Sequence, residues 1–539
     1  MIAGVEVSVG GAPLDAALAD RITEVRVDHH AQLPDAFSIR ISDPGLEHMD
    51  QSPFKLGAEV EIKFASPDGG TLTSLFTGQV LTVEPDFTVG HIMLAARGYD
   101  YAHALHRSST SETYQDMTVG DIAQKVAQRA GFQAGEIAGG GGVHHFVQQS
   151  NETDWDFLWR LARRVDCEVV VEKKVLHFRK ASANSEKVSL RWGEGLTAFR
   201  PRVTGVQQVD RVTVRSWDPK TKQTVESVAK DEDGSSKIGV ERSSVRKALG
   251  GGQIVVSDRP VSSPEEGDAL AKSVLAQLGN AYLEAEGTTR GDPRLRAGVT
   301  VSIDGIGERF KGDYALASTS HVFRGTTGYQ THFTISGRSP RTLIDLVNPS
   351  APRSFGSSVV VGVVTQNEDP ENMGRVRIKY PALGDQVEGW WARIAAPGAG
   401  KGRGQLMMPI KGDEVLVAFE HGDIAHPYIL GSLWNGTDVP DDLMQTDGSY
   451  ALHSDQKIAI SAKKAISVKG EDTLELESKS DMKLTTTSAA AITQDAAGEF
   501  KIKGGTSITI EAGTTLTIKG ASISIEGQMV AVKGMVQLG

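Results

Sequence analysis

Residues 457–484 read KIAISAKKAISVKGEDTLELESKSDMKL, and residues 505–534 read GTSITIEAGTTLTIKGASISIEGQMVAVKG. Apolar residues stand there in alternating pairs at a fixed distance. Ile458 and Ile460 are followed eight residues on by Ile466 and Val468, then by Leu474 and Leu476, then by Met482 and Leu484, and Ile492 keeps the count. Phe500 and Ile502, Ile508 and Ile510, and Leu516 and Ile518 continue it. The step then shortens to seven for Ile523 and Ile525, and for Val530 and Val532. Gly513, Gly520, Gly527 and Gly534 also fall seven apart. A pair separated by one residue has period two, which is strand. Strand plus a glycine-bearing corner at a fixed repeat is the pattern of a β-helix or solenoid.

One chain of this kind leaves a single apolar wall facing water. Three copies wound about a common axis turn all three walls inward and leave no free strand edge. The pattern therefore predicts a triple-stranded β-helix over residues 457–539, formed by a homotrimer and cored by the Ile, Val and Leu pairs above. The stretch holds no Pro, Arg or Trp, and its ten Lys against nine Asp and Glu give an outer face of balanced charge. A β-sandwich of short strands is the alternative, and it does not hold an eight-residue register over so many units.

At 539 residues the chain has room for several domains. Charged residues make up 23% and apolar residues 39%, as in soluble proteins, while 59 glycines fit turn-rich β structure. A net charge of −11 argues against a protein whose main task is to neutralise phosphate. The single cysteine, Cys167, excludes internal disulfides. The N-terminus lacks a basic region followed by an apolar one, so the expectation is cytoplasmic synthesis without a signal peptide, and no apolar run reaches the length of a membrane span.

Short half-apolar strands separated by turns, such as 37–42, 60–64 and 91–96, predict a small barrel over residues 1–106. Thr118 and Asp121 have capping-box spacing before a helix with Val119, Ile122 and Val126 on one face. Residues 134–142 read as a glycine-rich loop. Thr153 opens a second helix, and Ser263-Pro264-Glu265-Glu266 opens a third. The polar stretch 218–245 reads as a mobile insertion or an exposed hairpin. Strands at 299–303 and 330–335 complete a second small barrel. From 359 to 434, five short strands in about 80 residues fit a Greek-key barrel of the OB type.

Several motifs in these segments resemble those of VgrG spike proteins, relatives of the contractile-phage tail hub and spike. Gly374-Arg375-Val376-Arg377-Ile378, Trp391-Ala392-Arg393-Ile394, Ala399-Gly400-Lys401-Gly402, Pro409, Gly412 to Val417, Phe419 to Asp423 and His426-Pro427 resemble that family's OB-fold domain. Asn151 to Leu161 is similar to its hub segment E-S-D-x-x-F-L-x-R-L, and Phe310 to Tyr314 with His321 to Tyr329 resemble its closing hub strands. The resemblance implies a mainly β architecture: a hub of two small β-barrels with inserted helices over 1–345, an OB-fold domain over 355–436, a linker over 437–456 and the β-helical spike over 457–539. It implies a trimeric, non-catalytic central spike of a contractile injection system, plugging the tube at the baseplate and piercing the target envelope. Its implied partners are inner tube and baseplate proteins, a tip protein of the PAAR type over Met535, Val536 and Leu538, effector cargo, and the target membrane on firing. The spike it implies is a pared-down one, similar to those of extracellular, phage-tail-like particles, assembled in the baseplate of a contractile particle with extracellular release left open. The phage spike's lysozyme domain has no room in 435–455, and the expectation is a spike without an effector domain after the rod.

Two other function classes draw on residues in the same segments. A peptidoglycan-hydrolase spike needs paired carboxylates in a cleft; Glu152, Asp154 and Asp156 instead fit a helix start, and Asp441 and Asp442 lie in the linker. An OB-fold nucleic-acid binder has candidates in Tyr380, Trp390 and Trp391 with Arg375, Arg377, Lys379, Arg393, Lys401 and Arg403, yet alternation over 374–380 fits a half-buried strand, and no nucleic acid is expected. Residues 396–402 miss the phosphate-loop pattern. His29-His30 and His144-His145 are strand neighbours that point to opposite faces; His421, Asp423 and His426 fit a strand-end turn; Cys167 fits an inert core thiol. No catalytic residue, cofactor or metal is expected.

Overall fold

The structure is a computed structural model that describes residues 4–50, 52–67, 71–180, 187–206, 208–230, 237–336, 355–440, 449–480, 482–483, 485, 501–503 and 505–537. The chain divides into two units, Met1–Met444 and Gln445–Gly539.

A fifteen-stranded sheet dominates the first unit. Its order is Lys237–Ile238, Gly312–Ala315, Thr300–Asp304, Lys187–Trp192, Gly195–Val203, Leu283–Arg290, Gly328–Ser336, Ser318–Arg324, Ile22–His30, Leu33–Ser42, His91–Asp100, Leu72–Thr88, Glu59–Ala65, Val5–Val9 and Ala12–Pro13. Alternation along the strands gathers Val25, Val27, Ile39, Ile41, Ile62 and Phe64 into one core. Val301, Ile303, Tyr314, Leu283 and Phe333 form a second. The two halves meet where Ser318–Arg324 pairs antiparallel with Ile22–His30. The two hub barrels expected from sequence are thus halves of one continuous sheet, each with its own core.

The inserted helices start where their caps predict. Thr118 accepts from the Asp121 N–H, and the Asp121 carboxylate accepts from the Thr118 N–H, before the helix Val119–Arg129. Thr153 caps Asp154–Arg164. Both pack on the Cys167–Glu172 and Val175–Lys180 hairpin around a third core that includes Ile122, Val126, Phe157 and Leu158. Composition predicts a loop over 134–142, but its first part belongs to a strand, Gln133–Ile137, parallel to Val175–Lys180. Gly135 is a packing residue there, because a Cβ would sit 2.5 Å from the His177 ring.

The Arg211–Asp218 and Gln223–Lys230 strands form a hairpin that packs on the helix Pro264–Asn280. The stretch 218–245 thus supplies one strand of a hairpin whose other strand lies upstream, with Ser227 and Ala229 buried, and then the Arg242–Ala248 helix; residues 231–236 lie outside the described residues. Next along the chain, Val360–Gln366, Arg375–Lys379, Glu388–Ile394, Pro427–Ser432 and Glu414–Phe419 close into the expected five-stranded barrel. Val376, Ile378, Tyr380, Val415 and Val417 are fully buried inside it. The second unit holds no strand or helix among its described residues.

Candidate functional site

Every described residue of the second unit is exposed, including the apolar pairs. The described backbone runs without regular structure and bends at 455, 463, 471 and 479, and again at 505, 513, 521, 528 and 534. The bends thus step by eight where the apolar pairs do, and shorten to seven and then six after 521. Seven pairs are described in full. In each, the first residue is the less exposed, at 48–56% against 62–72% for the second. The first residues are Ile458, Ile466, Leu474, Ile508, Leu516, Ile523 and Val530. Their more exposed partners are Ile460, Val468, Leu476, Ile510, Ile518, Ile525 and Val532.

The expectation places these residues in a core between three copies, and the single chain leaves them exposed. Ile460, Leu476, Ile510, Ile518, Ile525 and Val532, like Val468 and the seven first residues, form no core within one chain. The physical reason is that one such backbone offers no second layer to cover them. Ile502, Met535 and Val536 are exposed as well. Leu484, Ile492 and Leu538 lie outside the described residues, as do Asp441 and Asp442. A backbone with no strand paired to it leaves N–H and C=O groups that only another chain or water can satisfy.

The first unit contains a different kind of site, a joint between barrel and hub. Glu266, in the first turn of Pro264–Asn280, was expected to complete a capping box with Ser263. Only half of that box forms. Ser263 Oγ accepts from the Glu266 N–H, but the Glu266 carboxylate turns to Arg164 at 2.7 Å, to the Ser262 N–H at 2.9 Å and to His144 at 3.5 Å. Arg164 also faces Asp423 of the barrel at 3.9 Å, Asp423 lies 3.7 Å from His426, and His426 Nε2 is 3.3 Å from Ser262 Oγ. A ring of charges thus crosses from hub to barrel. Beside it, the Trp390 ring stacks on Phe146 and His145.

These contacts tune the ionisable groups. Despite burial, hydrogen bonding to His144 and the charge of Arg164 hold Glu266 down to about 2. His426 and Arg164 likewise hold Asp423 well below the carboxylate range, against the effect of burial. Burial opposes the charge on His426, but the Asp423 carboxylate, with Glu420 and Glu266, raises it above the ordinary histidine value.

The remaining candidates fall as follows. Asp154 and Asp156 occupy the first turn of their helix; Asp154 pairs with Arg129, and Glu152 with Arg160. Arg375 is held by Asp369 at 2.8 Å and Arg377 by Glu388 at 3.2 Å, with Trp391 and Trp390 beneath them. Arg375, Arg377, Trp390 and Trp391, four of the side chains that suggested base stacking, are therefore engaged with the protein itself. Residues 399–404 form a short hairpin turn. Cys167 is buried in the helical core. His421 sits in a turn at φ 50°, and His29 and His30 lie on neighbouring positions of one strand. The joint is not apparent from sequence, although the spacing of Ser263 and Glu266 marks one of its ends.

The Alg8 N-terminal domain model matches residues 2–324, more than half of the sequence. The chain belongs to the Alg8 N-terminal domain family. A second model, the type VI secretion system/phage-baseplate injector OB domain, matches residues 360–434, the closed barrel. The type VI secretion system spike protein VgrG5 of Pseudomonas aeruginosa is 33% identical over 125 residues, 22% of this Alg8-family chain and 16% of VgrG5. VgrG3 of Vibrio cholerae, also named a type VI secretion system spike protein, is 26% identical over 164 residues, 28% of this chain and 16% of VgrG3. The chain thus matches about a sixth of the length of these curated relatives. The solved Escherichia coli c3393 protein, described as a type VI secretion system component similar to T4 bacteriophage tail proteins gp27 and gp5, aligns with a TM-score of 0.51 at 14% identity, over 79% of this chain and 99% of that one. At that identity the likeness speaks to the fold. The Alg8-family chain is VgrG-like, mainly β, and carries the OB-type barrel that its motifs predict.

Proposed function

We propose that the chain is the structural hub and spike of a contractile injection apparatus, a trimer that acts by transmitting force and without catalysis. One observation carries this: the exposed apolar pairs of the second unit share their eight-residue step with the bends of its backbone. Each Ile, Val or Leu buried against other copies contributes about 1.5–3 kcal/mol, and interchain strand pairing satisfies the backbone at the same time. The relatives' names as spike proteins support the same reading.

In this proposal residues 1–345 form the hub, 355–436 the OB domain, 437–456 the linker and 457–539 the spike. The hub meets inner tube and baseplate proteins, cargo travels with the spike, and a PAAR-type tip protein covers Met535, Val536 and Leu538. Synthesis is cytoplasmic, followed by assembly in a baseplate. The full chain should run as a trimer by native mass spectrometry and leave a trimer band in detergent before strong heating. A folded monomer at micromolar concentration would overturn the proposal.

A further inference from the structure

Five of the fourteen histidines line one groove of ≈ 690 Å³, with His30, His103, His106 and His332 along its rim and His29 behind them. The groove lies at the seam of the two sheet halves. Register builds it. Ser320 stands opposite Asp28 on one side and His332 on the other, while Ser318 stands between His30 and Thr334. Ala36 pairs with Asp28 and Leu33 with His30, and Tyr99 pairs with Ala36. Side chains of paired residues share a face of the sheet. The floor is therefore short, with Ser318, Ser320 and Ala36, and the rim is tall. The turn Tyr101–His106 follows the strand His91–Asp100 and brings His103 and His106 to the same groove.

The charge of this groove depends on solution conditions. Its guanidinium, Arg26, is held by Asp28 at 2.8 Å. Burial keeps the four rim imidazoles below the ordinary histidine value, so they are neutral in neutral solution. The charges acting on them are Asp35 on His30, Arg107 on His103, Asp156 and, in the opposite sense, His103 on His106, and Arg324 and Arg26 on His332. Behind the rim, His29 contacts Asp35 at 2.6 Å, and burial with Asp35 nearby pushes the Asp100 carboxyl well above its usual range. Among the described residues no three His, Cys, Asp or Glu side chains converge on a point where a metal could sit. Positive charge, when it develops, is spread along the groove and suits an extended ligand with several negative groups.

We propose that this groove binds an extended acidic peptide segment, and that it does so in mildly acidic rather than neutral solution. A peptide fits better than a nucleic acid. Phosphate binding relies on permanent cations, and the one in this groove is already paired, whereas Leu33, Pro34 and Tyr99 offer an apolar wall. A carboxylate laid against an imidazole favours its charged form, so binding takes up protons, and by reciprocity acid tightens binding.

The test is calorimetric titration of the full-length protein with a glutamate-rich peptide of about eight residues at about pH 5.5 and about pH 7.5, in buffers of different ionisation enthalpy. The expected result is at least ~tenfold tighter binding at the lower pH with net proton uptake. His30→Gln combined with His332→Gln should abolish both effects, while His91→Gln, on the exposed part of its strand, keeps them. Ser320→Trp fills the floor without removing an imidazole and should block binding at either pH. Affinity independent of pH, no binding at either pH, binding that survives the double variant, or equal acid-dependent binding of oligothymidylate would each overturn the proposal.

Discussion

Val376 and Ile378 in the barrel strand RVRIK, and Ile466 and Val468 in the repeat segment AISVK, are the same local message: two β-branched residues one apart, followed by lysine. In the barrel both are fully buried; in the repeat they are 55% and 66% exposed. The barrel strand has Val360–Gln366 on one side and Glu388–Ile394 on the other. The repeat has no strand beside it among the described residues. Alternation specifies which face is apolar and leaves open what covers it. One region completes its sheet within the chain, and the other must find its cover elsewhere.

The sharpest way to break this contrast is to put charge into each region of the full chain. Val376→Asp places a carboxylate in a sealed core, a change that costs several kcal/mol. The transition of the first unit should fall sharply in temperature in the thermal melt while the detergent-resistant trimer persists. Ile466→Asp with Val468→Asp should do the opposite, removing the trimer band and leaving the melt of the first unit intact. If both variants lost both signals, the two regions would not be independent sources of stability.

Next in size is the joint. Arg164→Ala leaves Glu266 to His144 and the Ser262 N–H, and Asp423 to His426, at a cost below the roughly 3–5 kcal/mol of a fully buried pair. Calorimetry should then separate hub and barrel into two transitions. An unchanged single transition would show that the Trp390 stack on Phe146 holds the barrel without the ion ring.

The same joint should respond to pH in two directions. Glu266 and Asp423 are held below their ordinary values, so their contribution is complete above the unfolded carboxylate range and is lost as pH falls toward about 2 for Glu266. His426 is raised, so its contribution is complete below the unfolded histidine value of about 6.5 and is lost as pH rises through its folded value. The melting temperature of the joint should therefore decline on the alkaline side in the natural protein. His426→Gln should flatten that side and leave the acid side unchanged. A parallel alkaline decline in the variant would assign the effect to other groups.

Local signals made much of this fold legible. Thr118, Thr153 and Ser263 announce three helices because a cap acts within one turn, and five alternating runs announce the barrel because each strand carries its own face. Contacts distant in sequence were not legible. Nothing near Ser318–Arg324 tells that its partner is Ile22–His30, almost three hundred residues earlier. Gly135 reads as loop because composition cannot show the His177 ring that needs its missing side chain. Glu266 reads as a cap residue because its other partners, Arg164 and His144, come from other elements. The apolar pairs from Ile458 and Ile460 to Val530 and Val532 were fully legible as a pattern, and their cover is the part that a single chain does not contain.

The smallest expected effect separates the two regions most cleanly. Thr118 and Asp121 form a complete reciprocal box, whereas at Ser263 only the hydroxyl half is made. Thr118→Ala therefore loses the hydroxyl's bond from the Asp121 N–H and its bond to the Asp121 carboxylate, and Ser263→Ala loses one bond. Loss of an N-cap costs about 1 kcal/mol, so Thr118→Ala should lower the melting temperature of the first unit by a degree or two and Ser263→Ala by somewhat less. Neither should change the stability of the trimer in detergent, because neither touches a residue that faces another copy. If Ser263→Ala proved the more damaging, the hydroxyl would be holding Glu266 in place for Arg164, and the cap and the joint would be one device. A shift in the detergent-resistant band with either variant would mean that the hub contributes to assembly, and the repeat would then not be the sole region that depends on its neighbours.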